Sequence, residues 1–255
     1  MSTAPKKQHM ELAEYTPEAA MSHNQNLQQT PRKLIAPLWH TGLLLLLILA
    51  MTLFGAYAQR AASSDLPVGQ QGGKAILYLP LIALQYGLLR LVIGGLRRNG
   101  YSLGDIIGRN DSSPRSVGYD LLIAAGFWTV GSGALAIIKL ALGSVEYNAS
   151  GLLPQSLIEI VLWVMVSVTA GFCEEVFYRG YLQRQFLALS GSVTVAILGQ
   201  AIFFGISHSY QGVKSVGVIT AYGVMFGLLA QWRRSLRPGM IAHAATDIIS
   251  GLFKF

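Results

Sequence analysis

Apolar residues in this chain fall in long runs rather than in alternation. Leu38 to Ala58 and Ala75 to Leu96 are each almost uninterrupted over roughly the twenty residues that a hydrocarbon core of about 30 Å demands, so both predict transmembrane helices. Arg97, Arg98, Asn99 and Gly100 close the second run with helix-stop and headgroup-anchoring residues. Tyr101 to Arg115 is short and mixed, with Leu103, Ile106 and Ile107 at helical spacing, and reads as a segment lying along the interface. Val117 to Leu142 crosses again. From Leu153 the chain is apolar to Phe172, then carries charge yet keeps a helical pattern through Leu189, which makes this helix too long merely to span. Ser190, Gly191 and Ser192 supply a turn, and Val193 to Ser207, Val213 to Trp232 and Met240 to Phe253 predict three more helices. The expected fold is all-α, a polytopic transmembrane helical bundle of about seven spans. Residues 1–33 read as a disordered, polar cytoplasmic tail and 34–150 as N-terminal transmembrane helices. Gly126, Gly131, Gly133, Gly223 and Gly227 are expected where helices approach closely.

Composition agrees with lipid as the solvent: 52% of the 255 residues are hydrophobic and 12% charged, with a mean hydropathy of +0.46. The formal charge of +7 is spread between the apolar runs, not gathered into a patch with interleaved aromatics, so nucleic acid is not an expected partner. Arg32 with Lys33, Arg97 with Arg98, Arg109, Arg115, Arg184, and Arg233, Arg234 and Arg237 fall at alternate connections. By the positive-inside rule this is a multi-pass protein, expected in a bacterial cytoplasmic membrane with its N-terminus inside. One cysteine, Cys173, excludes an intramolecular disulfide and any multi-cysteine metal site. No internal repeat supports transporter symmetry.

Ionisable residues are costly in the hydrocarbon region, and here they concentrate in the last third of the chain: Glu174, Glu175, Arg179, His208, His243 and Asp247. Glu175 and Arg179, four apart with the acid first, are expected to form a structural ion pair. Glu174 is rotated about 100° from Glu175, so one carboxylate can pair while the other faces a cavity. Glu174 and His208 lie at similar distances on either side of the Ser190 turn, which brings them to one depth in an antiparallel pair. His243 and Asp247 share a face of the last helix. His208 and His243 also have a bland reading as interhelical hydrogen-bonding groups. Cys173 reads as a small buried hydrophobe, His40 as an interfacial residue, and His9 and His23 belong to the tail.

Glu174-Glu175-Val176-Phe177-Tyr178-Arg179-Gly180, Phe204 with His208, and His243 with Asp247 resemble the CPBP (CAAX-processing and bacteriocin-processing, or Abi) family of intramembrane endopeptidases. The match covers roughly Leu153 to Leu252, making 151–255 the expected catalytic core. The resemblance implies hydrolysis by a water that Glu174 and His208 activate, with His243 and Asp247 stabilising the oxyanion. The eukaryotic branch usually has asparagine where this chain has Asp247, and an ionised aspartate cannot donate a hydrogen bond, so either Asp247 is protonated or it orients His243. Expected partners are membrane lipids and a membrane-associated peptide or protein, CAAX-like or bacteriocin-like; neither an oligomeric state nor a cofactor is implied. Zinc remains an alternative, since Glu174, His208 and His243 are acceptable ligands, although the compact His-Glu-x-x-His helix is absent. A non-catalytic immunity or scaffold protein and a proton-coupled carrier remain open as well.

Overall fold

The computed structural model describes residues 33–65, 75–108, 113–142 and 153–253, and these are almost wholly helical. The tail expected over 1–33 lies outside the described residues apart from Lys33. Helix α1 is Leu38–Asp65, α2 is Ala75–Arg98, α3 is Leu103–Ile107 and α4 is Pro114–Leu142. The long fourth helix predicted from the sequence is continuous from Leu157 to Ser190 and has three parts. These are α5 (Leu157–Glu174), a π-helical stretch (Glu175–Leu182) and α6 (Gln183–Ser190). Gly191, in the left-handed region, ends it, and Ser192 caps α7 (Val193–Ser207). A 3-10 turn at Ser209–Gln211 leads to α8 (Val213–Arg233), and α9 (Arg237–Phe253) follows.

Among the described residues, five helical segments are long and apolar enough to cross a membrane: Leu38–Gly55, Tyr78–Arg98, Pro114–Ile138, Leu157–Ser190 and Val213–Arg233. The expected number of about seven is not reached on that measure. Helices α7 and α9 have 15 and 17 residues, which makes them only about 22 and 26 Å long. A helix of that length does not cover a hydrocarbon core of about 30 Å by itself.

One end of the bundle collects the cations. Arg184 donates to the carbonyls of Asp105 and Ile106, the Leu236 N–H donates to Ile107, and Asn99 donates to Leu34. Arg233 and Arg237 pair with Asp120 of α4 at 3.5 and 3.1 Å. Successive long helices therefore leave and return to a single basic end. Helix α3 is anchored there rather than lying freely along an interface: Ile106 is fully buried, and its side chain and that of Leu236 close over Gly180.

Two expectations are corrected by packing. His40 is buried instead of interfacial, with one ring nitrogen 2.9 Å from the Tyr181 hydroxyl and the other 2.9 Å from the Leu91 carbonyl. Among the small residues, Gly223, Gly227 and Gly131 do sit at close helix contacts, but Gly126 and Gly133 face open space. The approach that matters most is at Gly171 of α5. A Cβ there would stand 2.8 Å from both the Ala244 nitrogen and the Met240 carbonyl of α9, so only glycine lets these two backbones come so near.

Candidate active site

The acidic pair sits where α5 changes its hydrogen bonding. Glu174 is the last α-helical residue, and the next eight residues, all buried, form the π-helix, a feature frequent at functional sites. The two carboxylates diverge as the helical rotation requires. Glu175 is sealed, its side chain 1% exposed, whereas Glu174 is 24% exposed.

Glu175 is held by two partners. Its Oε1 accepts from Arg179 Nη1 at 2.9 Å and from His243 Nδ1 at 3.1 Å. Arg179 is itself fully buried, its guanidinium 4.3 Å from the ring centre of Phe204 and 4.9 Å from that of Phe226. The ion pair read from the sequence is present, but its reading as structural alone misses the contact with His243. That contact fixes the ring, because a carboxylate only accepts and His243 Nδ1 must therefore carry a proton. The other nitrogen, Nε2, lies 3.8 Å from Glu174 Oε2 and 3.8 Å from Asp247 Oδ2. Both distances are too long for hydrogen bonds and suit one bridging oxygen atom. Glu174 Oε2 is buried and has no hydrogen-bond partner.

His208 follows the last residue of α7. Its Nδ1 is 2.8 Å from the Phe204 carbonyl and 3.1 Å from the Ser207 hydroxyl. Since the carbonyl only accepts, Nδ1 holds the proton and Nε2 is left with its lone pair. Tyr178 reaches across from the π-helix to donate to Ser207 at 2.8 Å, and its ring packs against Phe204 at 4.9 Å. Four residues back from Tyr178 and four forward from Phe204 are Glu174 and His208, which stand at the same level of this antiparallel pair. The ring of Phe204 touches both imidazoles, His208 at 4.8 Å and His243 at 5.9 Å between centroids.

Residues 155–249 match the family model of Rce1-like, type II CAAX prenyl endopeptidases. The resemblance read from the sequence is thus borne out over this segment, and the five long apolar helices fit an integral membrane protein. No curated protein and no solved structure matches.

Within the Rce1-like segment, sequence reasoning missed the supporting residues. Tyr178 and Ser207 orient His208, and Trp163 ties α5 to α9 by donating to the Asp247 carbonyl at 2.9 Å. Tyr178 stands inside the acidic motif and Ser207 beside His208, so adjacency was the available signal. Nothing local marked Trp163. Among the described residues no three His, Cys, Asp or Glu side chains are grouped to hold a metal ion.

Proposed function

We propose that this protein is an intramembrane endopeptidase that hydrolyses peptide bonds of membrane-associated substrates. The observation that supports this best is the Glu174 carboxylate, partly exposed and with one unpartnered buried oxygen, level with a histidine whose Nε2 is held as an acceptor. A water between them gives a proton to Glu174 and attacks the peptide carbonyl carbon while His208 accepts its second hydrogen bond. His243, turned by Glu175, presents Nε2 toward the oxygen that becomes negative; with carboxylates at 174, 175 and 247 around it, a cationic ring is the favoured donor. When the C–N bond breaks, the proton on Glu174 passes to the leaving amine. These steps use no metal, so cleavage is expected to survive exhaustive chelation.

Glu174 is ten residues, about 15 Å of helix, from Arg184 at the basic end. With that end cytoplasmic, as the positive-inside rule asks, the site lies within the hydrocarbon on the cytoplasmic side. The substrate class follows the family: a peptide with a CAAX-like end or a bacteriocin-like leader, presented from the bilayer.

The test uses the purified full chain and two quenched fluorescent peptides, one ending in a farnesylated CAAX sequence and one anchored by an apolar helix. Wild type is expected to cut at least one of them, and Glu174→Ala and His208→Ala to cut neither while inserting and melting like wild type. Cleavage by Glu174→Ala at the wild-type rate overturns the assignment.

A further inference from the structure

The oxyanion site described so far has one clear donor, His243. Asp247, when ionised, only accepts, so any second donor comes from another side chain or the backbone.

Tyr210 is placed to provide it. It lies in the short turn after His208, its ring stacked on the His208 imidazole at 6.1 Å with planes 29° apart. Helix α1 packs against the same turn. The phenolic oxygen accepts from the Gln211 amide at 3.0 Å, which leaves its own proton directed away from Gln211. Among the described residues no acceptor for that proton is found. Burial pushes the phenol up to about 12, and the carboxylates of Glu174 and Asp247 press in the same direction, so the hydroxyl beside the His208 ring stays protonated.

We propose that Tyr210 is a further catalytic residue, donating a hydrogen bond to the developing oxyanion beside His243 and taking the part of the amide that Asp247 lacks. This rests on the hydrolase reading above. No bond to Tyr210 forms or breaks: the hydroxyl keeps its proton while the carbonyl oxygen gains charge and then loses it. Like other donors aimed at an oxyanion, it contributes to kcat and little to KM.

The experiment measures kcat and KM for the full-length protein on whichever of the two peptides wild type cuts. Tyr210→Phe keeps the stacked ring and loses the proton, and is expected to lower kcat about 100-fold with KM within about two-fold. O-methyltyrosine at 210 keeps the acceptor for Gln211 but has no proton, and should lose a similar factor. Asp247→Asn in the Tyr210→Phe background restores an amide donor and should recover about ten-fold or more. Melting of each variant is recorded alongside. A kcat within about three-fold of wild type in Tyr210→Phe, or no recovery in the double variant, overturns the proposal. Glu174→Gln separates the two readings: if it is inactive while Tyr210→Phe is fully active, only the role of Tyr210 falls. If Glu174→Gln cleaves like wild type, the hydrolase reading itself has failed.

Discussion

Replacing Arg179 by methionine removes the cation that faces Glu175 and leaves the rest of the helix intact. At the 2.9 Å separation seen here, the pair's attraction is roughly 6 kcal/mol at an effective dielectric of about 20. Taking both charges out of water costs several kcal/mol per ion, so the intact pair is close to neutral against an apolar replacement of similar size. Removing one partner is different, since it strands Glu175 in a sealed site with only His243 for company. Loss of contact with Phe204 and Phe226 adds up to about 2 kcal/mol for each ring. Arg179→Met is therefore expected to cost about 3–5 kcal/mol, and the cost should shrink by about 2 kcal/mol or more when Glu175→Gln is already present. The assay is a double-mutant cycle on unfolding in mixed micelles with increasing SDS. Additive costs, agreeing within about 0.5 kcal/mol, would refute the coupling between these two buried charges.

Two packing predictions accompany it. Gly171→Ala places a methyl against the α9 backbone near Met240 and Ala244, so it should destabilise by about 1–3 kcal/mol and lower cleavage by displacing His243; wild-type kcat and stability in the same assays would contradict this. His40→Phe removes the second hydrogen bond of the Leu91 carbonyl and leaves the Tyr181 hydroxyl without its ring partner, which should cost about 1–2 kcal/mol in SDS unfolding, and an unchanged midpoint would show that the network is idle.

Much of the fold was legible because membrane helices must satisfy their own backbone groups, and long apolar runs have no other stable form in lipid. The divergence of Glu174 from Glu175 was legible for a similar reason, since adjacent helical residues always point apart. What escaped belongs to tertiary contact. His40 has the position of an interfacial residue, and only the arrival of Tyr181 and Leu91 makes it a buried one. Gly126 and Gly133 have the composition of packing residues but no helix comes to meet them. The π-helix left no local signature either, because the shift in hydrogen bonding is set by what surrounds residues 175–182. The count of about seven spans is not confirmed, for a reason of length: an apolar run of fifteen residues has the composition of a span but is shorter than a hydrocarbon core of about 30 Å. The role of Glu175 was half read, its partner on the same helix being visible in the spacing and its partner 68 residues away, His243, not.

Single-turnover cleavage in water enriched in oxygen-18, followed by mass analysis of both product and enzyme, tests the central claim most directly. Attack by a water that Glu174 activates puts one heavy oxygen into the newly formed carboxyl of the product and none into the side chain at 174. Label appearing in the Glu174 carboxyl, or a product carboxyl without label, would contradict it.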